Sequence, residues 1–140
     1  MISNSIRTRV KKVFLGGTTS DSKWRDYVMP RLKIAFFNPV VPTWNDAAYR
    51  EELFQRENCD YCLYVITPRM KGFYSIAEVV DDSNVRPEKT IYCYLDEDNG
   101  LAFEKAQKKS MVAIGKMVEK NGAKWCHSLD EIIEYLNTNV

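Results

Sequence analysis

One run of seven residues does more than any other to limit what this chain can become. Residues 61–67, YCLYVIT, are strongly apolar and read as a buried strand. A short breaker, Pro68-Arg69-Met70-Lys71-Gly72, follows it, and residues 72–83 (GFYSIAEVVDDS) read as the first turns of a helix. Strand, tight connection and helix in that order form half of a parallel βαβ unit. In an open parallel sheet, the loop after a strand and the helix start behind it make the ligand crevice. Glu78 sits near that helix start, so its carboxylate is better placed to meet a ligand than one further down the helix.

The same order recurs along the chain. Residues 11–17 (KKVFLGG) read as a buried first strand ending in a double-glycine turn. Thr18, Thr19, Ser20 and Asp21 then offer hydroxyls and a helix N-cap. Residues 22–33 carry Trp24, Tyr27, Val28 and Leu32 at helical spacing, with Pro30 expected to kink or shorten the helix. Residues 34–37 (IAFF) make a second strand, and Asn38-Pro39 ends it. A loop stiffened by Pro39 and Pro42 leads through Trp44 to Asn45 or Asp46, either of which can cap a helix over residues 47–58.

After the Glu78 helix, residues 89–95 (KTIYCYL) form a fourth strand and residues 96–100 an acidic loop. Residues 101–121 read as one long amphipathic helix stopped by Gly122. Residues 123–126 form a short edge strand, and Ser128 with Glu131 makes a capping box for the last helix. Five alternations without a hairpin signal predict an α/β fold: one domain over residues 1–140, a doubly wound parallel sheet with helices on both faces. A chain of 140 residues, 45% hydrophobic, can bury such a core without staples.

Every strand's carboxyl end faces the same crevice. Gly16, Gly17 and Thr18 arrive from the first strand, Asn38 and the Trp44 loop from the second, and Gly72 and Ser75 from the third. That set holds backbone amides, hydroxyls, an aromatic ring and carboxylates, but no histidine. His127, the sole histidine, is badly placed to serve a Ser-His-Asp or Cys-His arrangement. Gly16-Gly17 is neither a Walker loop nor a full GxGxxG. Carboxylates without histidine or metal suit glycosyl transfer, where one captures or stabilises an oxocarbenium-like sugar while an acid protonates the leaving group.

Composition narrows the partners. A formal net charge of +1 argues against bulk binding to DNA or RNA. No apolar run is long enough for a membrane span, and the polar, basic MISNSIRTRVKK lacks the apolar core of a signal peptide, so the cytoplasm is expected. Cys59 and Cys62 form a CxxC where a helix hands over to a strand, whereas a redox CxxC opens a helix. All four cysteines are expected to act as small buried apolar residues, with no metal and no cofactor.

Residues 59–87 also resemble a known family. A Cys-Asp pair entering a strand, the Gly72 loop, Ser75-Ile76-Ala77-Glu78 and Arg86-Pro87-Glu88-Lys89 are similar to the "AD…ELGYA…KPV" pattern of the nucleoside 2-deoxyribosyltransferases and their N-glycoside hydrolase relatives. Residues 13–17 resemble the family's opening strand and glycine, and Asn38-Pro39-Val40-Val41 with Trp44 resembles its short deoxyribosyltransferase-like branch. The resemblance spans roughly residues 11–95 and implies a flavodoxin-like five-stranded sheet.

It also implies that Glu78 is a nucleophile attacking C1′ of a (deoxy)nucleoside or nucleotide to give a glycosyl-enzyme intermediate. A gapless alignment sets Glu52 opposite an aspartate near the base, which makes it the proton donor. A homo-oligomer, dimer or larger, is implied as well.

Phe14 stands where the family often has a tyrosine that orients the nucleophile, and Gly72 where some members have an aspartate. EIIEYLNTNV matches no base-binding segment, so cleavage is better supported than transfer between bases. Two alternatives remain open: a nucleotide or ADP-ribose binding module without turnover, and a TIR-like NAD glycohydrolase. Two carboxyls facing each other in a nucleoside-sized pocket favour catalysis, and a Glu78 pinned in an ion pair or outside any cavity counts against it.

Overall fold

The computed structural model describes residues 10–19 and 21–138; Ser20, one of the expected hydroxyls, lies outside them. Strands β1 (Lys12–Gly17), β2 (Ala35–Phe37), β3 (Tyr61–Ile66) and β4 (Thr90–Tyr94) carry the sheet. Helices α1 (Trp24–Val28), α2 (Asp46–Asn58) and α3 (Tyr74–Val85) connect them. A hairpin follows, β5 (Glu97–Asp98) and β6 (Leu101–Ala102), then α4 (Lys105–Lys120), β7 (Lys124–Trp125) and α5 (Leu129–Thr138).

Five strands form one parallel sheet in the order β2-β1-β3-β4-β7, the flavodoxin-like arrangement. β3 is central, and all six of its residues are buried. Successive side chains of a strand point to opposite faces. Accordingly Val13, Leu15, Leu63, Val65, Ile91 and Cys93 pack on one side against Trp24, Val28, Ile132 and Leu136. Phe14, Cys62, Tyr64, Ile66 and Tyr92 pack on the other against Val79, Met111 and Val118. Each fully buried side chain of this kind contributes about 1.5–3 kcal/mol.

The chain departs from the expected helix at two places. Pro30 lacks an N–H and so ends α1 at Val28, after which Met29–Arg31 form a 3-10 turn. The helix expected from residue 101 begins only at Lys105, where Glu104 and Gln107 form a capping box. The preceding acidic loop and Leu101–Ala102 instead form an antiparallel hairpin. Asn99 (φ 48°) and Gly100 (φ 88°) supply its tight turn, the Asn-Gly pairing that such turns favour. Asp98 fastens the hairpin to the sheet by accepting from the Ser22 hydroxyl at 2.6 Å and the Thr67 hydroxyl at 2.7 Å.

The remaining ends follow the sequence closely. Asn45 caps α2 by accepting from the Ala48 amide, and the Ser128 hydroxyl accepts from the Glu131 amide. The four cysteines are buried and free, and burial pushes the Cys62, Cys93 and Cys126 thiols up to about 12. Among the described residues, no helix is long and apolar enough to cross a membrane.

The double glycine is a close-packing device. Gly17 has φ 113°, and a Cβ there would stand 2.1 Å from the Val65 carbonyl oxygen. Gly72 has open space around it. Gly17→Ala is therefore expected to lower stability by about 2 kcal/mol or more, whereas Gly72→Ala stays within about 0.5 kcal/mol. Denaturant unfolding of the two variants checks this.

Candidate active site

The order of the strands reverses between β1 and β3, which is where an open α/β sheet holds its ligand. A cavity of about 460 Å³ lies there, within the range of small-molecule sites, roughly 300–1,000 Å³. Its floor is Phe14, Gly16 and Gly17 from β1. Pro39, Val40, Val41 and Trp44 from the loop after β2 form one wall, and Tyr74, Ser75 and Glu78 from α3 form the other. Glu52 of α2 and Arg25 of α1 complete the lining.

The expected site residues therefore divide. Glu78, Glu52, Gly16, Gly17, Trp44 and Ser75 share this cavity. Thr18 and Gly72 line an adjoining cleft of about 150 Å³, which also touches Gly17 and Ser75. The Thr18 hydroxyl accepts from the Thr67 amide at 2.9 Å, so it ties β1 to β3. Asn38 lines neither: its side-chain oxygen accepts from the Val40 amide at 3.1 Å, an Asx turn that ends β2. Ser75 is not the cap of α3, because Phe73 holds that position. Trp44 is half exposed at the cavity mouth, edge-on to Tyr49.

Glu78 is 6% exposed and lies within hydrogen-bond reach of Glu52. Two carboxyls in contact cannot both ionise cheaply. Burial, and then the Glu52 charge, push Glu78 up to about 7 against the pull of Arg56. Burial likewise raises Glu52, opposed by its hydrogen bond with Glu78 and by Arg56 and Arg25. Both carboxyls are thus raised, and their titration belongs to the pair.

Glu78 also has an ion-pair neighbour, the condition that counts against catalysis. Arg56 Nη1 lies 3.4 Å from Glu78 Oε2, an oxygen that is buried and has no hydrogen-bond partner. The pairing does not neutralise Glu78, because Arg56 bonds chiefly elsewhere. Its Nη2 donates to Asp82 Oδ1 at 2.8 Å, and Asp82 is fully buried. Tyr64 donates to Asp82 Oδ2 at 2.5 Å and Arg86 to Oδ1 at 2.7 Å. Burial works against the Arg56 charge, but hydrogen bonding to Asp82 and the surrounding negative groups outweigh it and raise its pKa.

Arg25 is the other cation the sequence reading missed. It is 5% exposed and donates to the carbonyls of Leu15 (2.8 and 3.0 Å) and Thr18 (2.6 Å). Burial lowers its pKa to about 10, opposed by Glu52. Backbone partners leave no mark in a sequence, so nothing flagged it. Arg56 and Asp82 did leave one: each stands four residues after a site glutamate, Glu52 and Glu78, and so on the same helical face.

A carboxyl whose folded pKa lies above its unfolded value binds more protons in the folded state between the two. Its ionisation therefore weakens the fold as pH rises from about 4.5 toward 7. Glu78→Gln is expected to stabilise the protein at pH 8 by on the order of 1–3 kcal/mol, with the gain shrinking toward pH 5. Thermal melts of both proteins at the two pH values read this directly.

Among the described residues no cluster of His, Cys, Asp or Glu is placed to hold a metal ion. Comparison with family models matches residues 10–96 to the nucleoside 2-deoxyribosyltransferase-like family. Comparisons with curated proteins and with solved structures return no match. The matched segment runs from β1 through β4 and contains both glutamates, Arg56 and Asp82. With more than half of its length under that model, the chain belongs to the nucleoside 2-deoxyribosyltransferase-like family.

Proposed function

We propose that the protein breaks the N-glycosidic bond of a (deoxy)nucleoside or nucleotide, with Glu78 as nucleophile and Glu52 as proton donor. The observation that carries this reading is that the buried Glu78 and the partly buried Glu52 line one cavity of suitable size. Burial, and then the Glu52 charge, push Glu78 up to about 7, so it still holds a proton as neutral pH is approached. Passing it across the existing contact to Glu52 ionises the nucleophile and arms the acid in one step.

A Glu78 oxygen then bonds to C1′ as the C1′–N bond breaks, and Glu52 gives its proton to the departing base. Water, or the nitrogen of a second base, next attacks C1′ and releases Glu78, while Glu52 recovers a proton from the attacker. Retaining glycosidases keep their carboxyls about 5–5.5 Å apart. Here Glu52 and Glu78 come from facing helices onto one cavity, the arrangement that the retaining route needs.

The half-exposed Trp44 ring at the mouth gives the base a flat partner. Phe14 offers no hydroxyl to the nucleophile, and the family's activity is best supported here as bond cleavage, with transfer as its extension. The protein is read as needing no cofactor for this chemistry.

Incubation with deoxynucleosides, nucleosides and their monophosphates, with and without a foreign base, should release free base or exchanged product. Glu78→Ala is expected to lower the rate by about a thousandfold or more. Trp44→Ala should raise KM by about tenfold with kcat little changed, as loss of a stacking contact does. Ligand-induced stabilisation with no base released from any probe would favour a binding module, and base released only from NAD a TIR-like activity.

A further inference from the structure

Behind Glu78 lies a buried set of charges that the proposed chemistry does not use directly. Asp82 is one helical turn beyond Glu78 on α3 and is fully buried. It receives the Tyr64 hydroxyl from β3, Arg56 from α2 and Arg86 from the end of α3. Asp81 also reaches Arg56 Nη2, at 3.5 Å, but its side chain is 66% exposed and largely answered by water. Tyr64 is held neutral, since burial and then Asp82 raise its pKa. That leaves two guanidiniums, Arg56 and Arg86, among three carboxyls, the buried Asp82 and Glu78 and the partly buried Glu52. Arg86 is taken up by Asp82, so Arg56 is the cation that Glu78 meets directly.

Arg56 is the member that connects the two halves. Nη2 is fixed by Asp82, and Nη1 is thereby held 3.4 Å from the Glu78 oxygen that has no other partner. A loose guanidinium would rotate into the cavity or pair with Glu52, its neighbour one turn back on α2. The groups facing Glu78 are Glu52 and Arg56 from α2 and Asp82 from α3, with Arg25 of α1 acting on Glu52. Of these, Arg56 alone favours the ionised form of Glu78.

Resting on the reading of Glu78 as nucleophile, we propose that Arg56, anchored by Asp82 and Tyr64, is the positioning residue that orients Glu78 and sustains its charge for attack. Arg56 does not line the cavity, so it acts on the carboxylate from outside it.

Carboxyl-carbon NMR of glutamate-labelled protein, with Glu78→Gln to assign the resonance, tests the coupling without needing turnover. In Arg56→Met the Glu78 midpoint should rise by about one pH unit or more, and Arg56→Lys should recover most of that rise. The acidic limb of kcat/KM should move by the same amount, with KM changed less than about threefold. If Arg56→Met fails to fold, Arg56→Met combined with Asp82→Asn removes the orphaned buried carboxylate and is measured instead. A Glu78 midpoint unmoved in the folded variant overturns the proposal. Absence of base release by the native protein overturns the glycosidic reading separately, and the NMR titration still decides whether Arg56 governs Glu78.

Discussion

A single carboxylate with no exposed surface organises the cavity-bearing half of this molecule. Asp82 takes donors from three elements, and those bonds join the end of α2, the middle of β3 and the last turn of α3. Replacing such a cluster by apolar residues is often neutral for stability, whereas removing one partner costs about 3–5 kcal/mol. Its significance is therefore geometric. Of the thirteen residues of α2, only Arg56 is buried, so the helix has almost no apolar packing to fix its position. The polar anchor supplies that fixity, and with it the place of Glu52 relative to Glu78.

The site shows how burial and like charge set acidity in the absence of a nearby histidine. Glu78 is taken out of water, placed against a second carboxyl and then partly compensated by a guanidinium held mainly by another residue. Burial and the neighbouring carboxyl raise its titration and Arg56 opposes them, to about 7, where one proton can be exchanged between two acids. The arrangement is unfavourable for the fold and useful for chemistry, a balance common at catalytic sites.

Much of this was legible in the residues. The apolar run of β3, the double glycine of β1 and the helix start behind Gly72 carry physical signals strong enough to place the crevice, and Glu78 with it. Glu52 came from the gapless alignment rather than from any local signal of its own. The hairpin was harder: strands of two residues have no alternation to detect, and only Asn99-Gly100 betrays the turn. Asp81-Asp82 reads as an acidic step with at least one solvated member, and spacings of three and four residues from Glu78 put both near its face without saying which is buried. That distinction appears only with Tyr64 and Arg56 in view, two residues that α3 meets through tertiary packing. Asn38 illustrates the converse, a polar residue at a strand end whose own backbone takes up its oxygen.

The two acids stand on separate helices, and one of those helices rests on water along most of its length. Separation between them is then a mechanical variable, and acidity follows it. A slight swing of α2 outward weakens the repulsion that raises the Glu78 pKa, and a swing inward strengthens it. Whatever fills the cleft and wedges the helices apart thereby shifts the acidity of Glu78 by its own bulk, so entry of a ligand and charging of that carboxylate become one event.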